Sequence, residues 1–481
     1  MIEIPVLRAG KPYYSLKRLP LTDVRTGESL GNLSLALPGQ IARDLRAAAD
    51  NRRALERFTA AELVTMTKEA ARLFAEAELP IGESTQGPED YLECLAATCG
   101  MPLAMGRRNL DKIVDVMSRI DDVIDGLTRG LDLSVLDGGW GTQSGRRLSY
   151  LRLSDTLGAV LPNNSPGVHN LWVPSIALKT PLVLKPGSAE PWTPYRIAAA
   201  FMAVGCPPEA FSLYPTDHSG VAEVLLRTGR SLFFGDASTV KGWQGTGKVQ
   251  LHGPGWSKVI FGPDSVARWN DHLDLMAESV AANGGRSCIN ASGVWAPSEG
   301  RAIAEALAEK LATIEARPLD HPEAALAAFP NPDMARRISE MIDQHLAAGG
   351  AVDLTAEARK RNGGPEERVA EAGGCTFLLP TVIHCEQADH PLATCEFTFP
   401  FVTVVESPSE QLLEDIGPTL IGSVISEDDS FVDAALQTSL IDRLNLGPIP
   451  TYKISWDQPH EGNLFDHLYH QRAFQTVQVA S

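Results

Sequence analysis

Short apolar segments alternate with helical segments between residues 157 and 234, and this alternation constrains the fold more than any other feature of the chain. Strands that are separated by helices favour a doubly wound parallel sheet with helices on both faces. Ligands of such a sheet bind at the carboxyl ends of its strands. The predicted strands are 157–161, 181–184, 211–214 and 231–234, and the predicted helices between them are 168–178, 192–204 and 218–228.

A second α/β segment follows residue 254, and a helical section precedes the first. At 481 residues the chain is long enough for two or three domains. We therefore predict an α/β fold with a doubly wound parallel-sheet domain, a second α/β domain and a small β hairpin. The periodicity predicts helices over 60–79, 111–127, 270–282 and 300–315, and strands over 257–260, 377–382 and 400–405.

The charge balance limits the class of partner. The chain has 60 acidic and 42 basic residues, which gives a net charge of −18. A strongly negative chain is a poor ligand for nucleic acid or for an anionic membrane, so we expect neither as a partner. The chain also lacks a secretory signal pattern and an apolar run long enough to cross a bilayer. We expect a cytoplasmic protein that binds small molecules.

The seven cysteines are expected to be reduced, because their number is odd and their spacing matches neither a disulfide framework nor a metal site. We therefore assign no metal. Cys288 differs from the other cysteines in its position in the sequence. It follows the glycine turn Gly284–Gly285 and opens a weakly apolar stretch. A thiol presented there can attack a carbonyl carbon. The alternative is a buried cysteine that packs as a small apolar residue.

Six further motifs lie on either side of Cys288. Four precede it and two follow it, so that together they form an ordered series over residues 161–400. Each motif is short and weak alone, whereas the whole series is hard to produce by chance. The motifs are LPNNSP at Leu161–Pro166, PLVLKP at Pro181–Pro186, FFGD at Phe233–Asp236, LHGPG at Leu251–Gly255, FLLPT at Phe377–Thr381 and EFTFP at Glu396–Pro400.

In this order the motifs resemble those of the aldehyde dehydrogenase superfamily. The resemblance implies that Cys288 attacks an aldehyde to give a thiohemiacetal, and that hydride loss to a nicotinamide leaves an acyl thioester. It also implies that the side-chain amide of Asn164 and the backbone N–H of Cys288 stabilise the oxyanion. The residues alone also allow Asn164 to be a turn-forming residue.

The resemblance further implies a site for NAD or NADP. Lys185 matches a lysine that holds the adenosine ribose, and Glu396 matches a glutamate that holds the nicotinamide ribose. Ser188 stands where many NAD-using members carry a glutamate, and losing that carboxylate makes the 2′-phosphate of NADP admissible. The residues expected to bind the cofactor are Pro162, Asn163, Lys185, Gly187, Ser188, Gly235, Asp236, Gly253 and Glu396.

Asp236 departs from the family pattern, which usually has Phe-Thr-Gly-Ser at this turn. A carboxylate at a helix N-terminus is favourable, and we interpret Asp236 mainly as a helix cap. If the cofactor pyrophosphate approaches this turn, Asp236 also repels it.

His252 departs more sharply, because it occupies the place of the glutamate that activates water in members that release a carboxylate. Members that pass the acyl group to coenzyme A lack this glutamate and have a Gly-x-Gly segment, which Gly253–Gly255 resembles. Transfer to coenzyme A or another thiol is therefore slightly preferred. The alternatives are hydrolysis with His252 as the base, a packing histidine, and a non-catalytic relative, against which Cys288 and Asn164 argue.

The resemblance divides the chain into three parts. Residues 1–138 and 156–253 are expected to form the cofactor-binding domain, and 254–463 the catalytic domain. Residues 139–155 and 464–481 are expected to form oligomerisation strands of a homodimer or homotetramer, with Phe474–Val479 as an edge strand. His467 and His470 are expected on one helix face without a third metal ligand. His460 is more simply a surface-loop residue than a substrate contact.

Overall fold

The structure, a computed structural model, describes residues 2–475. Within this range two seven-stranded sheets carry most of the strands, and helices pack against them. The strands of both sheets are mainly parallel. The predicted α/β class with two α/β units and a small antiparallel hairpin is confirmed.

The front section is largely helical. Its third helix begins at a capping box in which Thr59 and Glu62 bind each other's backbone N–H groups, and it buries an apolar face that includes Leu63 and Phe74. The predicted helix 111–127 is two helices that meet at Arg119. The strands are β1 Ile2–Ile4, β2 Val6–Arg8, β3 Lys11–Tyr13, β4 Arg18–Thr22, β5 Ser29–Ser34, β6 Leu79–Ile81 and β7 Ser84–Gln86; the helices are α1 Pro38–Asp44, α2 Ala48–Glu56, α3 Ala60–Glu76, α4 Pro88–Cys99, α5 Leu103–Ser118, α6 Ile120–Thr128 and α7 Ser134–Gly138.

A terminal antiparallel sheet begins with the hairpin of β8, Trp140–Gln143, and β9, Arg146–Arg152. The last described strand of the chain pairs with β9 and completes a three-stranded sheet.

The first seven-stranded sheet is the doubly wound one. Its order is β14-β13-β10-β11-β12-β2-β3, and β2 and β3 extend the parallel strands as antiparallel neighbours. The predicted helix 168–178 is wrong, because Pro166 and Pro174 divide this segment into a 3₁₀ turn and one short helix. The elements are β10 Leu157–Val160, α8 Pro174–Ala177, β11 Leu182–Lys185, α9 Trp192–Ala203, β12 Phe211–Leu213, α10 His218–Arg227, β13 Arg230–Phe234, α11 Ala237–Lys241 and β14 Val249–His252.

One buried guanidinium attaches the front section to this sheet. Arg196, on α9, donates hydrogen bonds to the carbonyl oxygens of Phe74, Ala77 and Gln86 at 3.0, 2.8 and 2.6 Å. These carbonyls lie at the end of α3 and of β7, where backbone acceptors would otherwise be buried without a donor. The bonds fix the position of the front helices relative to the first sheet.

The second seven-stranded sheet has the order β17-β20-β21-β16-β15-β22-β23, and β17 is its antiparallel edge. Its central strands are completely buried, as expected for a parallel sheet covered on both faces. The elements are β15 Ser257–Phe261, α12 Leu273–Ala281, β16 Ala291–Ala296, α13 Gly300–Leu311, α14 Pro332–Ala347, β17 Ala351–Asp353, α15 Thr355–Arg361, β18 Val369–Ala372, β19 Cys375–Leu378, β20 Thr381–Cys385, β21 Phe401–Glu406, α16 Leu412–Asp415, β22 Thr419–Ile425, α17 Asp429–Gln437 and β23 Ile441–Leu446.

The last elements among the described residues are α18, Leu464–Leu468, and β24, Tyr469–Arg472, which is the strand that pairs with β9. The expectation that His467 and His470 share a helix face is wrong, because the helix ends at Leu468 and His470 lies in β24. The predicted edge strand Phe474–Val479 lies mostly outside the described residues. Subunit pairing through this sheet stays a prediction.

Candidate active site

A cavity of about 550 Å³ lies beside the carboxyl ends of several strands of the first sheet and extends to residues of the second domain. Loops that follow β10, β11 and β13, together with the end of β14, line one side of it. This is the place where a parallel sheet binds its ligands. Ten of the twelve candidate residues line this cavity, namely Pro162, Asn163, Asn164, Ser188, Gly235, Asp236, His252, Gly253, Cys288 and Glu396, whereas Lys185 and Gly187 do not.

Cys288 lies in a loop whose backbone leaves little freedom. Asn283, Gly284 and Gly285 all have positive φ angles of 52°, 64° and 68°, so the chain turns sharply before the cysteine. The carbonyl oxygen of Cys288 accepts a hydrogen bond from Ser257 Oγ at 2.8 Å. Gly255 lies against the same carbonyl so closely that an added Cβ would overlap it. The expected nucleophile, Cys288, is therefore held against the start of β15.

The surroundings of the Cys288 thiol disfavour its ionisation. Burial raises the pKa of this thiol well above its ordinary value, and the carboxylates of Glu461 and Glu396 raise it further. Lys112 acts in the opposite direction. Loss of the thiol proton therefore needs an acceptor close to the sulfur or a change in the local charge.

Asn164 is joined to the loop before Cys288. Its Nδ2 donates a hydrogen bond to the carbonyl oxygen of Arg286 at 2.8 Å. The guanidinium of Arg286 is buried and donates in turn to the carbonyl oxygens of Cys99 and Asn163 at 2.8 and 3.5 Å. The Asn164 amide carries two N–H groups, so one remains for an oxyanion. The two loops thus hold the expected oxyanion donor in the same cavity as Cys288.

His252 is paired with a residue that the sequence analysis did not identify. Its Nδ1 forms a hydrogen bond with the carboxylate of Glu461, and its ring stacks on Phe234 with 4.3 Å between ring centroids. Its Nε2 is buried and has no hydrogen-bond partner among the described residues. A carboxylate on one ring nitrogen fixes the orientation of an imidazole and leaves the other nitrogen to exchange a proton.

His460 belongs to the same group of side chains. Ligand atoms of Cys288, His460 and Glu461 all lie within 4.8 Å of one another. Burial lowers the pKa of His460 to about 3, so its ring is neutral near pH 7. Because His460 lines the cavity, its interpretation as a plain surface-loop residue is wrong. The assignment of no metal stays a prediction.

Glu396 is held by the backbone at the entrance to β15. Its two carboxylate oxygens accept hydrogen bonds from the N–H groups of Gly255 and Trp256 at 3.1 and 2.6 Å. Burial raises the pKa of Glu396 to about 7, although these bonds and Lys258 oppose the shift. Burial likewise lowers the pKa of the Lys258 ammonium to about 7. The expected ribose-binding carboxylate therefore also organises the segment that fixes Cys288.

Asp236 caps α11, as expected. Its Oδ1 accepts hydrogen bonds from Thr239 N at 2.8 Å and from the Ser238 and Thr239 hydroxyls at 2.6 and 2.9 Å. These bonds lower the pKa of Asp236, so it is ionised near neutral pH. The carboxylate is exposed and also lines the cavity, where its charge faces any phosphate that binds there.

The residues expected near the adenosine half of the cofactor do not all line the cavity. Lys185 does not line the cavity, and burial lowers the pKa of its ammonium. Gly187 acts through packing, because an added Cβ would overlap the side chain of Asn163 and the carbonyl of Pro162. Of these three residues, Ser188 alone lines the cavity.

The family model of the aldehyde dehydrogenase family matches residues 14–428 of this chain. The chain belongs to the aldehyde dehydrogenase family. It is accordingly an enzyme of the oxidoreductase class. No curated protein sequence shows significant similarity to it.

Solved structures of aldehyde dehydrogenases share the fold. Aldehyde dehydrogenase KauB from Pseudomonas aeruginosa is 16% identical, with a TM-score of 0.78 and coverage of 98% of this chain and 96% of that one. A 3,6-anhydro-L-galactose dehydrogenase is 13% identical, with a TM-score of 0.77 and coverage of 98% and 99%. An aldehyde dehydrogenase from Bacillus cereus is 17% identical, with a TM-score of 0.74 and coverage of 98% and 96%.

Sequence reasoning missed three residues that line or complete this aldehyde dehydrogenase site. Glu461 follows His460 directly, and only its pairing with a partner 209 positions away gives it a role. Arg286 stands two residues before Cys288, and nothing in its loop sequence indicates a buried guanidinium that binds a distant carbonyl. Lys112 lies on a predicted helix, and nothing in the helical pattern shows that it faces the cavity.

Proposed function

We propose that this enzyme oxidises a small-molecule aldehyde with NAD or NADP through an acyl thioester on Cys288. The observation that carries the proposal is the meeting of Cys288, Asn164 and the His252–Glu461 pair at one cavity. These groups supply a nucleophile, a donor for the oxyanion and a base. A non-catalytic relative would not need this arrangement.

In the acylation step the Cys288 sulfur attacks the aldehyde carbon. The carbonyl oxygen gains negative charge, which the free N–H of Asn164 and the backbone N–H of Cys288 stabilise; one such donor contributes about 3–4 kcal/mol. The thiol proton passes to His460 or Glu461, whose ligand atoms lie within 4.8 Å of the Cys288 sulfur. When bound, the nicotinamide accepts the hydride, which leaves the acyl group on Cys288 as a thioester.

In the second step an acceptor attacks the thioester. His252 is oriented by Glu461, and its free Nε2 can take a proton from water. A positioned base of this kind accelerates proton transfer about 10²- to 10⁴-fold. His252 therefore takes over the task of the glutamate that the family usually has here.

The residues around the cavity fit a nicotinamide dinucleotide. Pro162, Asn163, Ser188 and Gly235 line its wall, and Ser188 brings no negative charge that would repel a 2′-phosphate. The Bacillus cereus relative was solved with NAD⁺, and the 3,6-anhydro-L-galactose dehydrogenase was solved with NADP. Both cofactors are thus proposed, and Asp236 is expected to weaken the binding of either.

Transfer of the acyl group to coenzyme A or another thiol, which the sequence slightly favours, becomes the second candidate because the His252–Glu461 pair supports a base for water. The absence of the usual glutamate favours it, as does the wall formed by Gly253 and Pro254. A thiol is partly ionised near neutral pH and depends less on a base than water does. His252 can serve either acceptor, since both lose a proton during the attack.

A panel of aldehydes with NAD or NADP, with and without coenzyme A, tests this function. We expect reduced cofactor to form at a rate that depends on Cys288, and carboxylate to appear in the absence of any thiol. Acceleration by coenzyme A together with an acyl-coenzyme A product would favour the second candidate. Failure of every aldehyde to reduce either cofactor would contradict the proposal.

We also propose how the enzyme assembles and where it acts. The outer edge of β8, which pairs with no further strand among the described residues, supports a homodimer or homotetramer that pairs through this hairpin. Among the described residues, no helix is both long and apolar enough to cross a membrane. We keep the expectation of a cytoplasmic enzyme without nucleic acid partners, which the net charge of −18 supports.

A further inference from the structure

We infer that Lys112 makes the site selective for aldehydes that carry an anionic group away from the carbonyl. The inference rests on the proposed function, and it names the substrate class. Lys112 lies on α5 and lines the same cavity as Cys288. It therefore brings a cation from the front section of the chain to the site of reaction.

The Lys112 ammonium has no acceptor of its own. Its Nζ lies 5.6 Å from the centre of the Trp456 ring, and no hydrogen bond or ion pair joins it to another group in the part of the chain that the structure describes. An aromatic face attracts a cation but accepts no full hydrogen bond. The three N–H donors of a partly buried ammonium are thus left for a ligand.

The charges around Lys112 favour an anion at this position. Burial lowers the pKa of Lys112 and the Cys288 thiol raises it, while the Lys112 charge in turn lowers the pKa of His460. Glu461 and Glu396 raise the pKa of the Cys288 thiol, and among the described residues neither forms an ion pair with Lys112. A cation that is partly removed from water gains most from a charged partner. An anionic substrate group supplies that partner.

A glycine, Gly167, stands beside the ammonium, close to the side chains of Ser165 and Asn109. A Cβ added to Gly167 would lie 3.8 Å from Lys112 Nζ, so glycine leaves room there for a ligand. Leu171 and Trp456 line the same cavity and offer apolar surface to a short carbon chain. Together these residues describe a pocket for an aldehyde with a carboxylate, sulfonate or phosphate at its distal end.

Steady-state kinetics with matched aldehydes give the first test. We expect kcat/KM for 4-oxobutanoate to exceed kcat/KM for butanal. The selectivity ratio, which is the first value divided by the second, should fall about 10- to 100-fold in Lys112→Met, mainly because the KM of the anionic aldehyde rises. Lys112→Arg keeps the charge and should restore most of the ratio. Lys11→Met, an exposed lysine on β3, is the control and should leave the ratio unchanged.

A second test measures anion binding without turnover. Propane-1-sulfonate should protect Cys288 from alkylation by iodoacetamide, whereas propan-1-ol at the same concentration should not. The sulfonate concentration for half protection should rise at least about tenfold in Lys112→Met and in Lys112→Gln, but little in Lys112→Arg. This assay remains informative even if no aldehyde in the panel is oxidised.

An unchanged ratio, or equal protection in wild type and Lys112→Met, would overturn the inference. Equal losses for 4-oxobutanoate and butanal, together with slower alkylation of Cys288 in the absence of sulfonate, would also overturn it. That result would show that Lys112 acts on the thiol and not on the substrate. Circular dichroism and thermal melts of each variant establish that the fold is retained.

Discussion

The two halves of the catalytic cavity are held by different kinds of interaction. The nucleophile half, with Cys288 and Asn164, depends on backbone geometry: positive φ angles at Gly284 and Gly285, and direct hydrogen bonds to carbonyl groups. The base half depends on one side-chain pair, His252 and Glu461, which joins segments 209 residues apart. The first half keeps the family's motifs, and the second half departs from them.

This difference shows where a family can change its chemistry. Backbone positions tolerate few substitutions, because a new side chain collides with the neighbouring chain. A side-chain base can be replaced when another segment supplies a partner for the new residue. In this chain Glu461 supplies that partner for His252. Breaking each half separately should therefore give distinct defects.

The largest effect is expected in the nucleophile half. Cys288→Ala removes the attacking sulfur and should reduce turnover by at least about 1,000-fold while the fold is retained. Mass spectrometry of peptides after an acid quench should show an acyl adduct at Cys288 in wild type. Cys395→Ala is the matched control, because Cys395 is the other partly exposed cysteine among the described residues. Turnover by Cys288→Ala near the wild-type rate would contradict the assignment.

A backbone change should have the next largest effect. Gly255→Ala places a Cβ against the Cys288 carbonyl and must displace the nucleophile loop. A misplacement of this size can cost about 100-fold in kcat. Gly39→Ala is the control, since no atom of another residue lies near its added Cβ. If both variants keep full kcat, then the close packing at Gly255 does not position Cys288.

The Glu396 carboxylate, which holds the segment that fixes Cys288, should make stability depend on pH. The pKa of Glu396 is about 7 in the folded protein, above its ordinary value of 4.5. The folded state therefore binds this proton more tightly, and its contribution to stability is lost as pH rises from about 4.5 to 7. Relative to Glu396→Gln, wild type should lose about 1–3 kcal/mol of unfolding free energy between pH 5 and 8. Urea melts of wild type and Glu396→Gln at pH 5 and at pH 8 measure this loss. If the difference in unfolding free energy between the two proteins is the same at both pH values, Glu396 does not titrate in this range.

The smallest effect is expected at the cofactor phosphates. Asp236→Ser keeps a capping oxygen for α11 but removes a charge from the cavity wall, so the Kd for NAD or NADP should fall about two- to fivefold. Asp217→Ser changes the cap of α10 away from the cavity and serves as the control. An unchanged or weaker affinity in Asp236→Ser would show that the carboxylate does not face the phosphates.

The nucleophile half could be predicted because its signals are local. Cys288, Asn164 and Asp236 follow strands or glycine turns, and residues at the carboxyl ends of parallel strands meet at one sheet edge. The alternation of strands and helices likewise predicts the parallel strands of the first sheet. It fails for the segment after Ser165, where prolines divide the predicted helix. Local chemistry and sheet topology together were sufficient for these features.

The base half could not be predicted, because its contacts are purely tertiary. Nothing near His252 in the sequence indicates Glu461, and nothing near His460 indicates that its loop enters the cavity. The orientation of Lys112 depends on how α5 packs, which a helical pattern does not determine. The antiparallel strands that β2 and β3 add to the first sheet were missed for the same reason.

Rapid-quench analysis of His252→Gln tests the central claim, that His252 held by Glu461 activates the acceptor. With saturating aldehyde and cofactor, and no added thiol, we predict a normal burst of reduced cofactor. A steady state about 10²- to 10⁴-fold slower than wild type should follow, with acyl-Cys288 accumulating. His218→Gln, on the exposed start of α10, should behave as wild type. A lost burst without acyl-enzyme, or an unchanged steady state, would contradict the claim.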